Sequence, residues 1–193
     1  KQGRRIMSEH RSSRVLVILA DGFEEIEAIT PIDILRRAAY EVVVAGVGST
    51  SITGSHGVTV TTDLTVPEAG TNYDAIVLPG GGKGSHNLAA SWDVNEKLLM
   101  IANSGAVVAA ICAAPAVVLG PAGLLEGHQA VCYPGAESHC PGFSFSHERV
   151  CVSGNLITAR SAGCAVEFSL AIVEALSGRP ARDAIAAAIL FQV

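Results

Sequence analysis

After a polar opening stretch the chain enters a near-continuous apolar run, Arg14–Ala20 (RVLVILA), with the length and aliphatic character of a strand buried on both faces of a parallel sheet. From Glu24 to Ala39 the period changes. Ile26, Ile29, Ile32, Leu35 and Ala39 recur three or four residues apart, which predicts a helix, with Pro31 as a bend or a new first turn. The pattern then repeats: a strand at Glu41–Gly46 (EVVVAG), a hairpin around Ser51–Thr61, and a buried strand at Asp74–Leu78 (DAIVL) that stops at Pro79-Gly80-Gly81-Gly82. Helical segments near Ser85–Ala90 and Asp93–Ser104 lead to a strand at Ala106–Ile111, and a helix is expected after Pro115. Short strands are expected at Gln129–Tyr133, Val150–Val152 and Leu156–Ala159. Helices at Gly163–Leu176 and Ala181–Leu190, separated by Ser177-Gly178-Arg179-Pro180, close the domain. Alternation of this kind implies an α/β fold, a mostly parallel sheet between two helical layers. Nothing resembling a repeat or linker divides the chain, so residues 14–193 are read as one domain.

Composition narrows the classes. Of 193 residues, 49% are hydrophobic but only 5% aromatic and 16% charged, so the core is aliphatic and a stacking surface for nucleic acid is not expected. The net charge of −5 hides an asymmetry, because Lys1, Arg4, Arg5, Arg11 and Arg14 crowd the start and leave eight basic against seventeen acidic residues after them. An acidic body argues against nucleic-acid binding. Residues 1–13 read as a basic tail or a non-native remnant, with Met7 a candidate start; they lack the apolar run of a secretory signal, and the cytoplasm is the expected compartment. The uncharged stretch Leu98–Leu125 raises the question of a bilayer span. Asn103, Ser104, Gly105, Pro115, Gly120, Pro121 and Gly123 punctuate it, so a strand, a turn and a helix are expected instead, and no membrane association. Five cysteines, an odd number without CxxC spacing, indicate reduced thiols rather than a disulfide framework.

Open α/β sheets place their sites at the carboxyl ends of strands, which selects the loops Asp21–Glu27, Gly80–Gly84 and Cys112–Pro115. In AVVAAICAAP (Ala106–Pro115) a buried strand runs straight into Cys112, and Pro115 suits a first helical turn. This is a strand-to-helix nucleophile elbow, and unpaired amides at a helix N-terminus favour thiolate. An inert buried cysteine is the plain alternative. Glu24 and Glu25 are accounted for as acidic charge in a first helical turn, whereas Glu27, one turn on, can face the pocket and stay protonated if desolvated. The glycine run lacks the spacing of a phosphate loop and suits an oxyanion hole or a plain turn. His128, Cys132, His139, Cys140, His147 and Cys151 crowd together without zinc-type ligand pairs, so no metal site is assigned.

Four motifs in order, DGFEEIE (Asp21–Glu27), VLPGG (Val77–Gly81), AAICAAP (Ala109–Pro115) and EFSLAIVEAL (Glu167–Leu176), closely resemble the DJ-one branch of the ThiJ/PfpI superfamily. The resemblance covers roughly Arg14–Leu190. It implies a flavodoxin-like three-layer α/β sandwich that forms a homodimer, needs no cofactor, and carries Cys112 as the reactive cysteine and Glu27 as the glutamate bonded to it. It also implies Gly80, Gly81 and Ala113 as the oxyanion and substrate-binding loops, and Arg149 with Glu167 as a structural ion pair. Tyr133, in VCYPG, stands where the best-known animal members have an active-site histidine, which makes it a candidate proton relay. The histidine that follows the cysteine in the protease-like branch is Ala113 here, and no H-x-E triad sequence occurs, so neither peptidase nor glutamine amidotransferase activity is expected. The implied function is a cofactor-independent glyoxalase or deglycase acting on methylglyoxal, glyoxal, or their adducts, including glycated proteins. A non-enzymatic redox sensor or chaperone, acting through oxidation of Cys112 to sulfinate, is the alternative. Cys164, at a helix start, is a second and weaker redox candidate.

Overall fold

A computed structural model of the chain describes residues 12–192; the basic segment read at residues 1–13 lies outside them but for its last two positions. The elements in order are β1 (Arg14–Leu19), α1 (Glu25–Arg37), β2 (Glu41–Gly46), β3 (Ser51–Thr53), β4 (Thr59–Thr61), β5 (Leu64–Thr65), β6 (Ala75–Leu78), α2 (Gly82–Ala90), α3 (Trp92–Asn103), β7 (Val107–Ile111), β8 (Val150–Ser153), β9 (Leu156–Ala159), α4 (Ala165–Ser177) and α5 (Arg179–Ala188). Seven strands form one sheet in the order β5-β2-β1-β6-β7-β9-β8, while β3 and β4 pair separately as a hairpin. Every neighbouring pair in the large sheet is parallel except β8 with β9. Without its edge strands this is the flavodoxin-like order, and the chain reverses its winding direction between β1 and β6.

Strand period dictates the layers. Val15, Val17 and Leu19 enter one cluster, with Ala28 and Leu35 of α1 and Phe168 and Ile172 of α4. Leu16 and Ile18 point the other way, onto Leu88 of α2 and Val94, Leu98 and Ile101 of α3. The same alternation runs through β6 and β7, where Val77 and Ala109 face α1 and α4 while Ile76 and Val108 face α2 and α3. Continuously apolar strands are thus satisfied by two helical layers, and no helix among the described residues is long and apolar enough to cross a membrane.

Some expected elements differ. Gln129–Tyr133 is not a strand: Val131 N–H donates to the Thr158 hydroxyl at 3.0 Å, a side-chain partner in place of a ladder. After Pro115 the chain makes a single widened turn, Pro115–Leu119, closed by Gly120 N–H on the Pro115 carbonyl at 3.0 Å. The last helix starts at Arg179, so the expected four-residue break shrinks to Gly178 at φ 81°. The short edge strand β5 went unread, being too brief to show a period.

Candidate active site

β1, β6 and β7 deliver the three selected loops to one place. At the end of β1, Gly22 N–H bonds the Thr53 carbonyl of the hairpin at 2.8 Å, and Glu24 N–H bonds the Gly80 carbonyl at 3.1 Å. Glu24 then caps α1, its carboxylate accepting from Glu27 N–H at 2.9 Å. That cap sets the helical register and turns Glu27 inward. The Glu27 side chain is 1% exposed, its Oε2 accepting from Gly80 N–H at 2.9 Å while Oε1 is buried without a partner of good geometry.

The glycine after β6 is required by its neighbours. A Cβ on Gly80 would lie 2.5 Å from Glu27 Oε2 and 2.6 Å from Cys112 Cβ, closer than real Cβ atoms come. Gly80 is therefore the wedge that lets the acid and the thiol lie side by side. Its amide is engaged by Glu27, whereas the amides of Gly81 and Ala113, the other two residues expected to face an oxyanion, donate toward the Cys112 sulfur.

Cys112 sits at φ 65°, in the left-handed region that a non-glycine residue adopts only when the surroundings enforce it. Two backbone bonds do so: Cys112 N–H on the Ala159 carbonyl at 2.9 Å, and Tyr133 N–H on the Cys112 carbonyl at 2.7 Å. The strand-to-helix elbow is present, although a widened turn follows it. Tyr133 reaches the elbow through its backbone, and its side chain is 49% exposed.

Electrostatics depart from expectation in one respect. Burial above all, with the nearby charge of Glu24, pushes the Glu27 carboxyl up to about 7 against the hydrogen bonds it receives. The Cys112 thiol is pushed up to about 12, first by burial and then by Glu27. Amides of Gly81 and Ala113 pull it down without prevailing, so the expected lowering of the thiol does not occur. A buried acid and thiol in contact resist carrying two negative charges, and the last proton is held between them.

Other expected residues fall as follows. Arg149 and Glu167 form a forked pair, Nε–Oε1 at 3.0 Å and a terminal nitrogen on Oε2 at 2.7 Å, and the same guanidinium bonds the Gly163 carbonyl. Cys164 is buried at the start of α4. His128 bonds the Ser153 carbonyl, while His139 meets His86 edge-on at 5.0 Å between ring centroids. The wider His and Cys group is not gathered into one ligand set among the described residues; the set brought together is Glu24, Glu25 and His56. Sequence reasoning missed that His56 backbone N–H donates to Glu25 at 2.7 Å and that Glu25 anchors the hairpin tip. Distance in sequence hid it, since the two residues are 31 apart.

Comparison with known proteins agrees with this fold. A model described as the DJ-1/PfpI family matches residues 13–175. The chain is 45% identical over 168 residues to Protein DJ-1 homolog B of Arabidopsis thaliana, covering 86% of this chain and 38% of that protein. It thus spans about two fifths of that plant relative's length. It is 36% identical over 157 residues to Deglycase PYRAB04690 of Pyrococcus abyssi, covering 78% of this chain and 91% of that one. A solved structure of Toxoplasma gondii DJ-1, described as oxidized, superposes with a TM-score of 0.89 at 38% identity, covering 94% of this chain and all of the other.

Proposed function

The chain belongs to the DJ-1/PfpI family, and on that premise we propose that it is a cofactor-independent glyoxalase or deglycase that uses Cys112 on small dicarbonyls and their adducts. The observation that carries the reading is the pairing of a strained-elbow thiol with a buried carboxyl that titrates near neutrality. A relative's designation as a deglycase adds support. Methylglyoxal and glyoxal are the proposed substrates, with glycated proteins as larger ones and a second copy of the chain as the assembly partner.

A thiol held near 12 does not attack as a preformed thiolate; it needs a base at the moment of attack. Ionised Glu27 takes the thiol proton while sulfur adds to the aldehyde carbon of methylglyoxal. The carbonyl electron pair moves to oxygen, opposite the Gly81 and Ala113 amides. That oxyanion recovers the proton from Glu27 and becomes a hemithioacetal. Glu27 then removes the hydrogen from the former aldehyde carbon and returns it to the adjacent carbon through an enediol, leaving a lactoyl thioester. Hydrolysis releases lactate and restores the thiol, so the sum is methylglyoxal plus water to lactic acid. Glu27 carries each proton in this sequence, with Tyr133 the candidate for relaying protons to solvent.

Glu27 Oε1, buried without a partner of good geometry, also favours a second reading, since a neutral carboxyl there would donate to an oxygen added to Cys112. In that reading two peroxide molecules convert the thiol to sulfinate with release of two waters, and the oxidised protein acts as a redox sensor or chaperone. The description of the Toxoplasma relative as oxidized points the same way. Lactate formation from methylglyoxal, compared among wild type, Cys112→Ala and Glu27→Gln, separates the two. Both variants are expected to lose turnover. Turnover that survives in Cys112→Ala defeats the enzymatic mechanism; an inactive wild type that forms sulfinate selectively at Cys112 selects the sensor.

A further inference from the structure

Two thiols outside the candidate active site share one small apolar cluster. Buried Cys132 packs with Ala116 and Ala136, and Cys140 packs against the same group. Both sit on one face of the turn that follows the elbow: Ala116 and Gly120 are four residues apart, and the Cys140 sulfur lies 2.6 Å from where a Cβ on Gly120 would be. Between the cysteines the chain folds back on itself, with Ala136 N–H on the Tyr133 carbonyl at 2.9 Å and Cys140 N–H on the Glu137 carbonyl at 3.0 Å. Burial above all, then the charge of Glu137 and then that of Cys140, push the Cys132 thiol up to about 12. Both are free thiols in this structure.

We propose that Cys132 and Cys140 are a peroxide-sensitive dithiol that closes to an intramolecular disulfide, independently of Cys112. Half-buried Cys140 is the accessible partner. Its thiolate attacks one peroxide oxygen, the O–O bond breaks, and a sulfenic acid and water result. Cys132 then attacks that sulfur and displaces the hydroxyl as a second water, so two thiols are oxidised and one peroxide is reduced. Closure turns the Tyr133–His139 loop into a small ring, with Tyr133 N–H still tied to the elbow carbonyl. The oxidised form therefore holds the rim of the Cys112 site more rigidly than the reduced form.

Cleavage after glutamate separates the three thiols, because Glu126, Glu137 and Glu148 place Cys132 in fragment 127–137 and Cys140 in fragment 138–148, with Cys112 upstream of both. The full-length protein is treated with hydrogen peroxide, blocked with a thiol alkylator, digested and mass-analysed. The expected product is the two fragments joined, lighter by two hydrogens, present equally in Cys112→Ser, separated by reductant and absent in Cys140→Ser. Full alkylation of both cysteines after Cys112 has oxidised would overturn the proposal. So would joined fragments of mixed isotope in a mixture of light and heavy chains, since an intramolecular bond yields none. Neither result bears on dicarbonyl turnover, which the Cys112→Ala comparison decides.

Discussion

Replacing Glu27 by Gln removes a charge and leaves an oxygen that can still accept from Gly80 N–H, so the effect on stability isolates the burial of a carboxylate. In the folded protein this carboxyl titrates at about 7 against an ordinary 4.5. Two and a half units at about 1.4 kcal/mol each bound the penalty at roughly 3.5 kcal/mol, of which about 1–3 kcal/mol is expected to survive structural relaxation. The direction follows from proton binding: between 4.5 and 7 the folded state holds more proton than the unfolded state, so wild-type stability falls as pH rises through that window. The neutral Gln lacks this dependence. Urea unfolding of both proteins at pH 4.5, 6 and 8 is therefore expected to show a difference small at the acid end and growing to 1–3 kcal/mol in favour of Glu27→Gln at pH 8. Groups distant from Glu27 titrate alike in both proteins and cancel. A difference that stays flat, or that favours wild type increasingly with pH, would mean that Glu27 is solvated or paired with a cation, and the reasoning about its proton would fail.

Three further outcomes follow from the same geometry. Alkylation of Cys112 by iodoacetamide should rise with pH in a first step near 7 in wild type and lose that step in Glu27→Gln; a single step near 9 in both proteins would show an uncoupled thiol. Gly80→Ala forces a methyl between Glu27 and Cys112 and should remove dicarbonyl turnover while costing about 1–3 kcal/mol in denaturant unfolding; retained turnover would refute the wedge. Glu25→Gln withdraws the charge that holds the hairpin tip, where the carboxyl is held down to about 2 by its bonds to His56 and Val58 although burial opposes them. Amides of residues 51–61 should then exchange hydrogen faster at neutral pH, while β1 and β6 keep their protection.

How much the sequence revealed depended on whether the determining interactions were local. The three loops were legible because apolar runs mark buried strands and sheets put their sites at strand ends; Leu78 runs into Gly80 and Ile111 into Cys112 without ambiguity. Glu27 was legible from its helical spacing after Glu24. The state of the Cys112 thiol was not, because burial and contact with Glu27 are products of tertiary packing and outweigh the amides that an elbow implies. The Gln129–Tyr133 segment misled for a related reason: its apolar residues are buried, yet its amide partner is the Thr158 hydroxyl rather than a strand backbone. Anchoring of the hairpin by Glu25 spans 31 positions and leaves no periodic trace.

The placement of Glu27 in the first turn of α1, immediately behind its own cap, also sets how the surrounding segments can change length. One residue added or removed between Gly22 and Glu24 would either carry the acid about 100° around the helix axis or move its cap, since each helical position turns by that amount. A residue added at Gly70, in the exposed loop before β6 where a Cβ would meet nothing within 4 Å, displaces only solvent. Length variation among relatives should therefore gather near residue 70 and be absent from residues 20–27, a pattern imposed by helical geometry rather than by the chemistry of any one substrate.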